Sequence, residues 1–248
     1  MEAVGYIPAS TSTESNMHNK YFLIGFVLLA LWGCSSETLS PGSANLGATY
    51  FPLDTGSYRI YDVERIEYVF SGDNDTSRFF MKEVVADTFT SLAGETAFRI
   101  ERFVSESLNG DYQLDSVWVA YNNLSQAVLI ENNIPFIKLV FPVSEGLKWD
   151  GNSLNALEED TYEMIELNRP FALSDTLNFD KTLQVIQEED DDNLIRSENR
   201  FEIYAENIGL IYKNTTILNF CDETDCIGQG IIETGIDYRM ELVTYGKE

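Results

Sequence analysis

Histidine and cysteine are scarce in this 248-residue sequence, which contains one histidine, His18, and three cysteines, Cys34, Cys221 and Cys226. Catalytic triads normally use histidine as the general base, and zinc sites need several cysteine or histidine ligands. The scarcity therefore counts against the commonest nucleophilic hydrolases and against a zinc site. Glycine-rich phosphate-binding loops are also missing from the sequence. We predict no catalytic residue, no cofactor and no metal site.

Basic residues are few as well. The chain has 16 Lys and Arg against 41 Asp and Glu, a formal net charge of −25. Such a surface repels the phosphates of nucleic acids, which are excluded as partners. It also repels anionic lipid headgroups, so attachment to a membrane would have to come from a lipid anchor rather than from a basic patch.

No apolar run is long enough to cross a membrane. The run at residues 21–32 has 12 residues, whereas a transmembrane helix needs about 20. Lys20 precedes this run, and Gly33-Cys34 and serines follow it, an arrangement typical of an export signal. An ordinary secretory signal, in which Cys34 is incidental, and an anchor that is never cut are the alternatives.

The segment Leu31-Trp32-Gly33-Cys34 resembles the lipobox of bacterial lipoproteins. In that family the cysteine thiol is acylated and the chain is cut before it. The resemblance implies a signal peptide at residues 17–33, with Met17 as the true start and residues 1–16 as an overextended start. It also implies a lipid, such as palmitate, on Cys34. Trp32 stands where a small residue is usual, which predicts slower processing.

The exported part is predicted to consist of a tether and one domain. Residues 34–48 are rich in Ser, Gly and Ala, which indicates a flexible tether, and residues 49–248 form a single β-rich domain. In an exported protein, Cys221 and Cys226 at this spacing predict a disulfide. A metal site would need further Cys or His ligands, and a redox motif needs two residues between its cysteines.

β-branched and aromatic residues dominate the domain in short segments separated by turn signals, with almost no helical periodicity. We predict an all-β fold with at most one or two short helices, in which a curved antiparallel sheet forms a half-open barrel or a sandwich. The helix candidate is residues 152–160, and the first strand is predicted to bulge near Glu64-Arg65. The predicted strands, about ten in number, cover residues 58–70, 78–88, 97–104, 115–121, 126–131, 136–141, 162–167, 181–187, 194–205, 209–220 and 235–245.

Three short motifs carry a second resemblance. Phe51-Pro52-Leu53 followed by Gly56, then Gly146 and Trp149, and then residues 208–213 resemble a loose family of surface lipoproteins of unknown function, many from Bacteroidota. That family is similar in fold to the Lol lipoprotein carriers, which are curved sheets forming half-open barrels. Tyr58 and Tyr61 stand where the family usually has tryptophan. Residues 34–37 resemble an acidic tag for export to the cell surface. The resemblance implies fold and location, and no activity.

Several groups of residues have two interpretations each. Asp73-Asn74-Asp75 has oxygen ligands suited to calcium but lacks the glycine and distal glutamate of an EF-hand, so it is a calcium loop or a solvated turn. The acidic run at residues 188–192 is a loose cation site or a solvated hairpin tip. Paired carboxylates for glycoside hydrolysis cannot be selected among so many acids. The following aromatic residues either pack in the core or line a groove for a sugar or an acyl chain: Tyr58, Tyr61, Trp118, Tyr121, Phe141 and Trp149.

These features together predict a lipid-anchored protein of the outer membrane or cell surface. Its expected role is that of a non-catalytic binding or envelope-organising module with a protein or glycan partner. Two alternatives stay open. A carbohydrate-active hydrolase that uses carboxylates would have two acids facing each other in a cleft. A carrier of lipid or lipoprotein would have a continuous apolar cavity in the half-barrel.

Overall fold

The computed structural model describes residues 46–70, 72–91, 94–190 and 193–248. These residues belong to one compact unit. The predicted leader, the tether up to residue 45 and the proposed lipidation site, Cys34, lie outside the described residues. In the described part of the chain, no helix is long and apolar enough to span a membrane.

Twelve β-strands form a single antiparallel sheet, which confirms the all-β prediction. Within the described ranges, helical structure is limited to a 3-10 turn at Ala48–Tyr50. The strands, in chain order, are β1 Ser57–Tyr68, β2 Asp75–Thr90, β3 Thr96–Ser105, β4 Gln113–Asn122, β5 Gln126–Glu131, β6 Ile134–Val140, β7 Lys148–Asp150, β8 Thr161–Ala172, β9 Asn178–Asp190, β10 Arg196–Ala205, β11 Gly209–Phe220 and β12 Ile232–Lys247.

The sheet is a meander whose first and last strands pair with each other. Strand β1 lies between β2 and β12, and β6 and β7 are the two edges. The edges meet, because the backbone N–H of Ile137 in β6 donates to the carbonyl of Gly151, just after β7, at 2.9 Å. The indole of Trp149 in β7 donates back to the carbonyl of Ile137 at 2.9 Å. The sheet is thus a nearly closed barrel, more complete than the predicted half-barrel and not a sandwich.

The segment before β1 closes one end of the barrel. The carbonyl of Leu46 accepts a hydrogen bond from the N–H of Val143 at 2.9 Å, and the carbonyl of Thr49 accepts one from the N–H of Asn207 at 2.7 Å. Tyr50 is 2 % exposed and packs in a core cluster with Leu139 of β6 and other buried residues of β5, β8, β9 and β10. Because the strands alternate in direction, this closed end also carries the β2–β3, β4–β5, β6–β7, β8–β9 and β10–β11 connections. The other connections lie at the opposite end.

Three local predictions were wrong. Residues 152–160 contain no helix, because Asp150 Oδ1 accepts the backbone N–H groups of Asn152 at 2.9 Å and Asp160 at 3.0 Å, and such side-chain bonds hold a turn instead. Strand β1 has no bulge at Glu64-Arg65, where it pairs without a break; the register shift in the β1–β12 pair lies at Ile60 and Tyr61, and the extra residue there is Val243 of β12. Strand β9 continues through Asp190, so the first part of the acidic run is a strand and not a hairpin tip; residues 191 and 192 lie outside the described ranges.

The two C-terminal cysteines are joined. A disulfide links Cys221 and Cys226, whose Cα atoms are 5.8 Å apart, in the loop between β11 and β12. Both residues are buried. The bridge fixes the shape of the longest loop at the end of the barrel opposite the closed end.

Candidate functional site

The interior of the barrel contains a cavity of about 550 Å³. Side chains of strands β1 to β6 and β10 to β12 line it, mostly at alternate positions such as Ile236, Tyr238 and Met240. This alternation is expected of strands whose inward face lines a barrel. The volume lies within the range of small-molecule binding sites, roughly 300–1,000 Å³.

Much of the wall is apolar. Ile100 of β3 and Ala120 of β4 belong to a buried cluster, against which Leu129 of β5 and Trp118 pack. Met81 and Met240 come from a second cluster, whose buried members belong to β1, β2 and β9 to β12. An acyl chain or another apolar body would therefore contact side chains from several strands of the barrel.

A row of charged side chains crosses the apolar wall. In the sheet register Arg59 of β1 pairs with Glu83 of β2, and Glu83 pairs with Arg102 of β3. Glu83 lies 3.0 Å from Arg102 Nε and 3.9 Å from Arg59 Nε. The side chains are 10–13 % exposed. The guanidinium carbon of Arg102 lies 3.6 Å from the centroid of the Trp118 ring. We call Arg59, Glu83 and Arg102 the arginine row.

A second charged group lies on the wall formed by β5, β6, β10 and β11. Glu202 lies 2.6 Å from Lys138 and 3.2 Å from Lys213, and Lys138 lies 3.6 Å from Glu131. Burial disfavours the charged form of Glu202, but the two ammonium groups, with hydrogen bonds from Lys138 and Tyr204, outweigh burial and lower the pKa of Glu202 to about 2. The Glu202 carboxylate is therefore a fixed anion at neutral pH.

The charge of the cavity is opposite in sign to that of the whole chain. Five cationic side chains line it against three carboxylates, although acidic residues outnumber basic ones 41 to 16 in the sequence. The lining therefore has a net positive formal charge inside an acidic protein, an arrangement that favours anions. The lining residues with charge are Arg59, Arg65, Glu83, Arg102, Glu131, Lys138, Glu202 and Lys213.

Gly209 leaves room for one of these cations. Gly209 has a φ of +94°, in the left-handed region that favours glycine. A Cβ atom there would lie 2.7 Å from Arg59 Nη1. With that space free, Arg59 donates from Nη1 to the carbonyl of Ile208 at 2.9 Å. The glycine in the predicted family motif thus helps to position a cavity arginine.

Exposed apolar side chains concentrate at the end of the barrel opposite the closed end. Of the fourteen large apolar residues that are exposed in the described ranges, ten lie on the connections at this end or within two residues of them. These connections contain no lysine or arginine. Arg65, near this end of β1, is a partly exposed member of the cavity wall. We call this the open end, and define its apolar rim as Val69, Phe70, Leu114, Ile134, Leu154, Leu157, Leu194, Ile195, Ile227 and Ile231.

The aromatic residues singled out in the sequence have separate places. Trp118 lines the cavity, whereas Tyr61 and Phe141 are buried in core clusters. The ring of Trp149 packs edge-on against Tyr162, with centroids 5.9 Å apart. The remaining two are partly buried: Tyr58, whose ring lies under the Lys82 ammonium group, and Tyr121.

The acidic candidates form no metal site in the described ranges, where no group of three or more His, Cys, Asp or Glu residues could hold an ion. Asp73, Asn74 and Asp75 are exposed around the β1–β2 turn. Glycoside hydrolysis needs a carboxyl group with a raised pKa, but the pKa of Glu202 is lowered and Glu83 lies between two guanidinium groups. The cavity carboxylates are thus arranged as ion-pair partners.

Sequence patterns did not identify the charged lining. The available signal is that some charged residues are in phase with the inward apolar residues, as in Met81-Lys82-Glu83 and Ile100-Glu101-Arg102. A charged residue in phase with a buried face indicates either an ion pair or a ligand contact. Distinguishing these alternatives requires the register between strands.

No protein-family model matches the chain, and no curated protein is similar to it in sequence. Among solved structures, the chain is similar to an inferred lipoprotein from Parabacteroides distasonis, with a TM-score of 0.39, 11% identity, and coverage of 79% of this chain and 98% of that one. The chain is also similar to an inferred exported protein with a YmcC-like fold from Bacteroides fragilis, with a TM-score of 0.40, 11% identity, and coverage of 79% of this chain and 98% of that one. A third similar structure is an inferred outer membrane lipoprotein-sorting protein domain from Vibrio parahaemolyticus, with a TM-score of 0.20, 11% identity, and coverage of 82% of this chain and 91% of that one. At these TM-scores the likenesses carry no inference about function.

Proposed function

We propose that this protein is a lipid-anchored binding module of the cell envelope that holds an amphipathic small molecule inside its barrel. The observation that carries the proposal is the interior cavity of about 550 Å³. Its wall combines apolar side chains from several strands with buried ionic groups. A molecule with an apolar body and a polar head is complementary to both parts of that wall.

A binding role fits the cavity better than an acid–base reaction. Each buried carboxylate of the lining has a cationic neighbour, as in Glu83 with Arg102 and Glu202 with Lys138. The lowered pKa of Glu202 keeps that carboxylate ionised, whereas a general acid must carry a proton near neutral pH. The hydrolase alternative therefore has less support than the binding and carrier alternatives.

The apolar rim favours a carrier as a second candidate. Phe70 and Leu194, at 62 % and 66 % exposed, project from two different connections at the open end. The cavity lining reaches this end at Arg65 and Asn132, so exposed apolar residues there would provide a path by which an amphiphile enters or leaves. As a carrier, the protein would exchange its ligand with a membrane or with another protein and would not only store it.

The anchor and the location are proposed from the lipobox resemblance of residues 31–34. A lipid on Cys34 would hold the protein at the outer membrane or cell surface, with residues 34–48 as a tether and residues 49–248 as one domain. The described chain enters the barrel at Leu46, at the closed end.

Photochemical labelling tests the proposed cavity. The exported full chain is reconstituted in phosphatidylcholine nanodiscs, given palmitic acid that carries a diazirine on its chain, irradiated and digested. We expect labelled residues on the inward face, such as Trp118, Leu129 and Tyr238. Labelling confined to outward-facing residues, or no more labelling than on an unrelated tethered protein, would contradict the proposal.

The anchor is tested separately by mass spectrometry of the N-terminal peptide from the exported chain. We expect a peptide that begins at Cys34 and carries acyl chains. The Cys34→Ser variant should lose both the acylation and the membrane attachment. An uncut or unmodified N-terminal peptide in the wild-type chain would rule out this anchor without affecting the cavity.

A further inference from the structure

The charge on the cavity wall is not evenly compensated. In the arginine row, two guanidinium groups share the single carboxylate of Glu83. The register places the three side chains next to one another on β1, β2 and β3, and all are at most 13 % exposed. The row therefore has an excess of one positive charge in a place that is largely removed from water.

Arg59 is the less compensated of the two arginines. The Arg102 Nε atom donates to Glu83 at 3.0 Å, and its guanidinium group stacks on Trp118. The Arg59 Nε atom lies 3.9 Å from Glu83, beyond hydrogen-bonding distance, and it is a buried atom without a hydrogen-bond partner. A buried charge that lacks full compensation is costly, and an added anion would reduce that cost.

The other charged side chains of the cavity are balanced. On the opposite wall Lys138 and Lys213 face Glu131 and Glu202, two cations with two carboxylates. Arg65 is 44% exposed and lies 2.7 Å from Glu67. The excess of positive charge is therefore located at the arginine row and not spread over the cavity.

We infer that the ligand of this cavity is an acyl-chain amphiphile with an anionic headgroup, and that Arg59 and Arg102 bind that headgroup. The inference rests on the proposed function and specifies its ligand class. Guanidinium groups bind the oxygens of carboxylates and phosphates through charge-assisted, often bidentate hydrogen bonds. The acyl chain then lies along the apolar wall formed by residues such as Ile100 and Leu129. A fatty acid and a lipid with a terminal phosphate share this chemistry.

Competition between ligands of equal chain length tests the headgroup. The full chain in phosphatidylcholine nanodiscs is labelled with diazirine-bearing palmityl alcohol, and the label is displaced by palmitic acid, palmitoyl lysophosphatidic acid or palmityl alcohol, each at measured mole fractions in the disc. At least one of the two anions should compete about tenfold better than the alcohol, which corresponds to about 1.4 kcal/mol. The stronger anion identifies a free fatty acid or a phosphate lipid as the source.

Two variants move the expected preference in opposite directions. Arg59→Gln removes the excess charge and should abolish the preference for the anion. Glu83→Gln removes the competing carboxylate and should increase that preference. Arg99→Gln is the matched control, because Arg99 pairs with Asp87 outside the cavity and should leave the preference unchanged. Since the readout is a ratio between ligands, a general loss of stability does not imitate either result.

The outcomes separate this inference from the proposed function. Equal competition by acid, phosphate and alcohol, with labels inside the barrel, would overturn the anionic headgroup and keep the cavity as a binding site. A preference for the anion that survives in Arg59→Gln would also overturn the assignment to the arginine row. If no label is found on the inward face with any ligand, the proposed function itself fails.

Discussion

The ammonium group of Lys138 lies 2.6 Å from the carboxylate of Glu202, although 64 positions separate them in the sequence. Lys138 belongs to the edge strand β6, and Glu202 belongs to β10, three strands in from the other edge. Their side chains are 6% and 1% exposed. The ion pair therefore joins the two halves of the sheet inside the barrel, close to where its edges meet.

Breaking this pair should be costly, since the remaining partner stays buried with a single, longer ion pair, Glu202 with Lys213 or Lys138 with Glu131. We expect Lys138→Met and Glu202→Gln each to lower the free energy of unfolding by about 3–5 kcal/mol. The double variant should lose less than the sum of the two losses, because it removes both the Lys138 ammonium group and the Glu202 carboxylate and leaves neither buried without the other. Urea unfolding followed by tryptophan fluorescence measures the three values.

The exposed pair Lys148 and Glu163 is the control for that experiment. Their nitrogen and oxygen atoms lie 3.0 Å apart, a comparable distance, but the side chains are 61% and 37% exposed. Lys148→Met should have little effect, since exposed pairs contribute little. If Lys138→Met lowered the free energy of unfolding as little as Lys148→Met does, the buried pair of Lys138 and Glu202 would contribute no more to stability than an exposed pair.

Stability should fall in acid through Glu202. Its pKa is lowered to about 2 in the folded protein from an ordinary value of 4.5, so below pH 4.5 the unfolded chain takes up a proton that the folded chain does not. The stabilisation is fully present above pH 4.5 and is lost as the pH falls towards 2, by about 3 kcal/mol. The difference between the wild-type and Glu202→Gln unfolding free energies should shrink over this range. A constant difference would contradict the lowered pKa.

The disulfide should stabilise the loop at the open end by restricting the unfolded chain. Cys221 and Cys226 close a loop with a sequence separation of 5, for which chain entropy gives about 2 kcal/mol. Replacing both cysteines by serine should lower the free energy of unfolding by that amount. Reduction of the wild-type protein should have the same effect, and reduction of the double variant should have none.

Local patterns were sufficient for most of the strands but not for the closure of the sheet. Strands β5 and β11 have the predicted bounds, because alternating or apolar segments end at clear turn signals there. The contact between Ile137 and Gly151 that brings the edges together has no local signal. Nothing in the periodicity of β6 or β7 indicates which two edges meet, so a half-open sheet was the natural prediction.

The candidate site depends even more on long-range geometry. Trp118 was identified as either core or groove, and it lines the cavity. The arginine row was not predicted, because it arises only when β1, β2 and β3 pair in one particular register. A shift of one residue would turn Arg59 and Arg102 to the outer face, and sequence alone does not determine the register of three long strands.

Filling the cavity should abolish ligand binding without removing the barrel. Leu129 lines the cavity and is partly buried, so the larger side chain in Leu129→Trp occupies the space of the ligand. We expect photolabelling by diazirine palmitate on the inward face to fall at least about tenfold, which corresponds to about 1.4 kcal/mol. The control is Leu124→Trp, at a position 79% exposed in the turn before β5. Equal labelling of both variants would place the ligand elsewhere.

Ligand exchange should depend on the apolar rim if the protein is a carrier. Phe70 and Leu194 are highly exposed on two connections at the open end, where they can shield an acyl chain from water during transfer. We expect Phe70→Ser with Leu194→Ser to slow the transfer of a fluorescent fatty acid from loaded protein to phosphatidylcholine vesicles several-fold, while binding at equilibrium stays the same. Leu124→Ser, at the closed end, should not slow transfer. Unchanged transfer in the rim variant would favour a binding module that does not act as a carrier.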